Sequence, residues 1–263
     1  MKWVQILVAE ARRELHRSVA YRLEFVADQV LFILGFLLLS GLFYILSDGG
    51  YTEKQQLMSL VGFITWRVAD GVILRSVSTI DEETQWGTLE QIWLAPIPPR
   101  LVFFCRSTII LVSYMLRAIF IAAILLLSLR LTIHFSISMF AVFLLAQFGV
   151  IGTAYILMGL QLAFKRTVSL TLAFTTSLLF VTGALAPIEH VYWLTIAVRF
   201  LPLGPGIHLL QAEIEQPLSM IHLWLSNEGI WLVCHSIVYL VLGQIVFAWG
   251  ERYALNSGHL GQY

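Results

Sequence analysis

The sequence predicts an all-α membrane protein with six transmembrane helices, preceded by an amphipathic helix at the membrane surface. Three observations carry that prediction. Hydrophobic residues make up 59% of the chain and charged residues 12%, with a mean hydropathy of +0.83, which is more apolar surface than a water-soluble core of 263 residues can hide. The apolar residues run in six stretches, each able to cross a hydrocarbon layer that takes roughly 20 helical residues. The stretches follow one another closely enough to form a single transmembrane domain over residues 1–263.

Over residues 1–24, Val4, Leu7, Val8, Ala11, Leu15 and Val19 fall on one helical stripe, and Glu10, Arg12, Arg13, Glu14 and Arg17 occupy the remaining surface. Such a helix lies in the headgroup plane with its stripe in lipid and its arginines toward anionic headgroups. It either anchors the first span or grips a partner. Charge is mixed with hydrophobes from Lys2 to Glu24 and no small-residue cleavage site follows, so the segment does not read as a cleavable signal. The spans are placed at 25–46, 57–80, 101–129, 136–164, 167–187 and 229–249. Ser47 to Gln56 holds Asp-Gly-Gly turn chemistry, and Leu131 to Phe135 has length only for a tight connection.

The 188–228 connection is neither a span nor an ordinary polar loop. Tyr192 to Phe200 is amphipathic around Arg199, Pro202-Leu203-Gly204-Pro205-Gly206 reverses the chain, and Ile207 to Ile214 resumes a helical pattern. Two re-entrant helices dipping into the outer leaflet fit, because such backbone is tolerated where protein or a wet cavity satisfies it.

Lysine and arginine accumulate on the cytoplasmic side of spanning proteins. One side holds nine, Lys2, Arg12, Arg13, Arg17, Arg22, Arg100, Lys165, Arg166 and Arg252; the other holds three, Lys54, Arg130 and Arg199. The bias predicts both termini and residues 81–100 in the cytoplasm, in a multi-pass protein of the cell (inner) membrane. A net charge of zero gives no argument for nucleic acid. Cys105 and Cys234 fall inside apolar stretches and read as small buried hydrophobes. His134, His190, His208 and His222 show no metal-ligand spacing. No G-x-x-x-x-G-K-[ST], H-E-x-x-H or G-x-S-x-G pattern occurs, so the chain is expected neither to hydrolyse ATP nor to act as an enzyme.

The most informative segment runs from Asp81 to Arg100, DEETQWGTLEQIWLAPIPPR. Gly87 breaks the preceding helix, and Thr88 with Gln91 forms a capping-box pattern for a new one. Leu89, Ile92 and Trp93 share one face, Glu90 and Gln91 lie elsewhere, and Pro96, Pro98 and Pro99 end the helix. The result is a short stiff rod with an apolar ridge for a partner's groove, flanked by Asp81, Glu82 and Glu83 for polar contacts. The competing reading is an interfacial helix against headgroups, where Trp93 would be at home.

Glu83, the Gly87-Thr88-Leu89-Glu90 tetrapeptide and Pro96 match the E-x-x-x-G-T-L-E-x-x-x-x-x-P signature of ABC-2 type exporter permeases, and the chain resembles their antibiotic and multidrug exporter branch. The resemblance covers nearly the whole chain, from amphipathic N-terminus through six spans to the large outer connection. It implies that 81–100 is a cytoplasmic coupling segment docking on a separate ATP-hydrolysing subunit. That role falls on Glu83, Gly87, Thr88, Leu89 and Glu90, with Gln91, Ile92, Trp93 and Pro96 completing the candidate set. The implied assembly holds two ATPase copies and a second permease copy, identical or related, among membrane lipids. ATP and Mg would sit on the partner, with no cofactor on this chain. The implied cargo is hydrophobic or amphipathic: a drug, a lipid or a lipid-linked glycan. In the family the outer connection closes the pathway, which makes Pro187, Arg199, Pro202, Gly204 and Pro205 gate candidates; otherwise it is a lipid-facing cap.

Ionisable residues within spans are costly, about 2.5 to 3.5 kcal/mol at a helix centre, and they find partners or water. Arg67 and Asp70 are positioned to pair on one helical face, and Arg117 lies deep in span three. The three form a packing clamp, or they line a pathway or dimer seam. Arg75 and Arg106 are near enough to the cytoplasmic end to snorkel, and Asp28 lies at the same boundary. Ser169, Ala173 and Ser177 mark a helix-packing face, while the hydroxyls of Thr171, Thr175, Thr176 and Thr182 either bond backbone carbonyls or meet cargo. An ion-gradient-driven transporter or channel using Asp70 is the alternative function, and an intramembrane enzyme or envelope-lipid scaffold a third.

Overall fold

Caps and breakers divide the chain. The structure, a computed structural model, describes residues 2–47, 50–185, 192–215 and 220–257, and every regular element among them is a helix. The order is α1 (Lys2–Ala20), α2 (Arg22–Leu46), α3 (Glu53–Gln85), α4 (Leu89–Leu94), α5 (Pro99–Leu129), α6 (Ile137–Phe164), α7 (Val168–Val181), α8 (Tyr192–Phe200), α9 (Gly204–Glu215), α10 (Met220–Leu225) and α11 (Asn227–Asn256). A reciprocal Thr52–Gln55 capping box starts α3, Pro99 occupies the first turn of α5, and the Ser136 and Ser226 hydroxyls accept from backbone amides at the starts of α6 and α11.

Helices α2, α3, α5, α6 and α11 are long and apolar enough to cross a membrane. The expected span at 167–187 is shorter than predicted. Helix α7 has 14 residues, about 21 Å of rise against a hydrocarbon thickness of about 30 Å. It stops because Gly183, one residue past the Thr182 cap, turns to φ 74°. Helices do form in the 188–228 connection, α8 and α9 meeting at a bend of 110°. Counting that pair as one span brings the number of candidate spans to six at most. The second helix starts earlier than expected: Leu203 takes the positive φ, 74°, and Gly204-Pro205-Gly206 already forms the first turn of α9. A Cβ on Gly204 would lie 2.0 Å from the Val198 carbonyl oxygen, so only glycine lets α9 leave so close to α8.

Contacts assign the ends of the bundle. Glu10 of α1 pairs with Arg106 and Glu251 of α11 pairs with Arg100, so the two terminal helices share the end that carries α4, here the elbow end. Helices α8 to α10 lie at the other, the cap end. Helix α3 is central, packing on α5, α6, α7 and α9, and supplies the fully buried Leu60, Val68, Val72, Ile73, Val77 and Ile80. Helix α2 is held more loosely, through Phe32 stacked and Phe36 tilted on Phe63 and through a Gln56–Ser40 hydrogen bond at 2.9 Å.

The tightest contact joins α6 to α11, at a site other than the predicted small-residue face. Ser169, Ala173 and Ser177 are exposed, and α7 turns Thr171, Thr175 and Leu178 inward instead. The hydroxyls of Thr171, Thr175 and Thr182 do donate to backbone carbonyls, at 3.0, 3.2 and 2.6 Å. In the α6–α11 seam, Gly152 meets Gly243 and Gly159 meets Gly250. A Cβ would fall 2.4 Å from the Gly152 oxygen if built on Gly243, and 2.0 Å from the Gly159 oxygen if built on Gly250. Small residues let the backbones touch, and the packing itself stabilises the pair.

Gly250→Ala is therefore expected to lower stability by about 1 to 3 kcal/mol, the usual cost of overpacking, measured as a depressed melting temperature in detergent. Gly35→Ala, where an added Cβ meets nothing within 4 Å, should leave it unchanged or slightly raised.

Candidate functional site

The predicted coupling segment is an elbow between two long helices. Helix α3 runs through Asp81 to Gln85, Trp86 caps it, and Gly87 at φ 68° redirects the chain. No atom lies within 4 Å of a Cβ at Gly87, so glycine is required there for conformation and not for room. The chain returns through Pro96 to Pro99, where α5 begins.

Thr88 departs from the capping box. Its hydroxyl donates to the Glu83 carboxylate, and to the Glu83 carbonyl at 3.3 Å, while the Gln91 amide is left with the Thr88 carbonyl at 3.1 Å. A charged acceptor forms the stronger bond and outcompetes the backbone cap. The α4 ridge also turns inward: Leu89 is buried, and Ile92 and Trp93 pack on the bundle core, Trp93 with its ring 6.2 Å from Phe103. The outward face of the elbow carries Gln85, Trp86, Glu90, Gln91, Leu94 and Pro96, with Trp86 64% and Leu94 84% exposed.

Glu83 is the hub of this end. Buried itself, it meets Arg13 of α1 at 2.7 Å and Arg106 of α5 at 3.0 Å, and Arg106 also donates two 2.9 Å bonds to Glu10. The Thr88 hydroxyl and the Arg106 and Arg13 guanidiniums converge on the Glu83 carboxylate and offset its loss of water. Beside it, Glu82 takes Arg17 at 2.8 Å and Arg75 at 2.8 Å. Asp81 accepts from Gln161 of α6 at 3.1 Å, and Gln161 in turn accepts from the Thr167 amide at 2.7 Å.

Three expectations change accordingly. Arg13 and Arg17 face the bundle and not headgroups, because Glu82 and Glu83 offer nearer, partly buried carboxylates. Arg75 and Arg106 pair inside the protein instead of snorkelling. Glu82 and Glu83 are engaged within the chain, not displayed to a partner. The apolar stripe of α1 does point outward, with Val4, Val8, Leu15 and Val19 exposed.

A second charged layer lies higher on α3 and α5. Arg67 pairs with Asp70 at 3.4 Å as predicted, and also with Asp28 of α2. Arg117 does not join them; it reaches Glu14 at 3.4 Å, Ser18 at 3.2 Å and Ser113 at 3.1 Å. What the two arginines share is the Tyr114 ring, 5.4 Å from Arg67 and 4.7 Å from Arg117. Gly71 makes room for that ring, since a Cβ there would fall 2.0 Å from it. From Arg67 to the start of α3 there is about 21 Å of helix, and to its elbow end about 27 Å. Arg67 thus lies slightly nearer the cap end of α3 than its elbow end.

Of the gate candidates, Arg199, Gly204 and Pro205 line a cavity of about 600 Å³ at the cap end, where His208 and Glu228 stand 3.7 Å apart. Pro202 is buried, and Pro187 lies outside the described residues. Among the described residues no group of three His, Cys, Asp or Glu could hold a metal. Sequence reasoning missed Glu10, Arg13 and Arg17 as partners of the segment. Their signal was there: alternating charges at helical spacing on α1, complementary to Glu82, Glu83 and Arg106. Comparison with protein-family models and with curated proteins yields no match.

Replacing Glu83 by alanine leaves Arg106 buried with one partner fewer, and the expected loss is about 3 kcal/mol, read as a lower melting temperature. Glu90→Gln, on the exposed face, should not shift it.

Proposed function

We propose that this chain is the membrane-spanning permease subunit of an ABC-2 type exporter, driven by ATP hydrolysis on a separate subunit. The elbow end and both termini would face the cytoplasm of a cell membrane, and the cargo would be hydrophobic or amphipathic. One observation supports this reading above the rest: the segment carrying the signature is two-faced. Glu83, Thr88, Leu89, Ile92 and Trp93 tie it into α1, α3 and α5, while Trp86, Glu90, Gln91 and Leu94 are left outward. A contact surface so anchored passes a push directly into three helices. The docking role then belongs to the outward residues, and the inward members of the signature act as its anchor. An ion-driven mechanism draws less support, because Asp28 and Asp70 both lie against Arg67.

The chain purified from native membranes should carry a subunit bearing a nucleotide-binding P-loop, identified by mass spectrometry. Trp86→Ala with Leu94→Asp should weaken that complex by about 2 kcal/mol, roughly 30-fold, at unchanged melting temperature. Glu90→Gln should keep the complex and uncouple hydrolysis from export in inverted vesicles. Absence of such a subunit, or a complex indifferent to the double variant, would defeat the reading.

A further inference from the structure

Between α1, α2 and α5 the surface opens into a groove of about 540 Å³. Its rim is apolar and exposed, with Leu15 at 65%, Leu116 at 65% and Phe120 at 62%. Its floor is polar and buried. Arg117 and Glu14 meet there at 3.4 Å, their side chains only 15% and 13% exposed, with Ser113 and Gln29 beside them.

The floor defines a ligand. The Arg117 guanidinium lies against the Phe25 and Tyr114 rings at 4.8 and 4.7 Å, and its hydrogen bonds among the described residues all leave from Nη2. Its other N–H groups are available to an anion. Glu14 bonds through one carboxylate oxygen, and the buried Oε1 of Gln29 has no hydrogen-bond partner. The groove thus offers donors, a carboxylate and an amide carbonyl at formal charge zero, inside apolar walls. Complementarity requires an anion and an N–H-bearing cation on one headgroup, attached to an apolar chain.

We propose that this groove seats one phospholipid with a phosphoethanolamine headgroup. The phosphate bonds Arg117 and the Ser113 hydroxyl, the ammonium bonds Glu14 and Gln29, and an acyl chain lies along Leu116 and Phe120. A phosphoglycerol headgroup brings a net negative charge toward Glu14 with no cation to offset it. Phosphocholine has no N–H to give to Glu14 or Gln29. The site does not depend on what docks at the elbow.

Native mass spectrometry of the full chain in mild detergent, titrated separately with phosphatidylethanolamine, phosphatidylglycerol and phosphatidylcholine, tests this. One saturable phosphatidylethanolamine per chain is expected, at least about tenfold tighter than the other two, as one charge-assisted contact would give. Arg117→Gln should weaken it about tenfold. Leu116→Trp, at an exposed rim position that keeps the bundle intact, should fill the groove and remove the saturable component even if the Arg117 variant folds poorly. Equal binding of phosphatidylglycerol or phosphatidylcholine overturns the headgroup assignment. Unchanged binding in Leu116→Trp overturns the location.

Discussion

A single buried carboxylate organises one end of this protein. Glu83 lies within hydrogen-bonding or ion-pair distance of α1, α5 and the turn into α4, and its two ion pairs depend on its being ionised. A charge in that setting is stable only because its partners converge on it; two guanidiniums and a hydroxyl offset the loss of water. Residues before and after the elbow are thereby fixed to the same point as the N-terminal helix. The geometry of the signature segment is thus a property of the whole elbow end, not of its own sequence.

The two charged layers share this logic. Helix α1 supplies Glu10, Arg13 and Arg17 to the lower layer and Glu14 to the upper one, with its apolar stripe turned outward. Its hydrophobic side faces away from the bundle and its charged side inward, the reverse of a surface helix on a soluble protein. That inversion is what a helix needs when lipid lies on one side and a polar network on the other.

Much of the architecture was legible in the sequence, because membrane spans announce themselves by length and composition. Helix α2 begins within a few residues of its expected start, and α8 occupies the range its amphipathic pattern marked, 192–200. What was not legible depended on partners distant in sequence. Thr88 reads as a cap until Glu83, five residues back, is seen to fold over it. Ser169, Ala173 and Ser177 read as a packing face by spacing alone, and spacing does not say which side of α7 meets α3. The seam that exists is written at seven-residue spacing in two separate helices, Gly152 and Gly159 against Gly243 and Gly250. Neither half signifies without the other.

That seam divides the molecule mechanically. Backbones in contact at two successive glycine pairs leave no lubricating layer of side chains, so α6 and α11 behave as one plank. Helix α2 meets its neighbours through aromatic rings, the Gln56–Ser40 hydrogen bond and the Asp28–Arg67 ion pair, and a lone tyrosine separates it from α1. The α6–α11 pair is thus the most closely packed part of the described bundle.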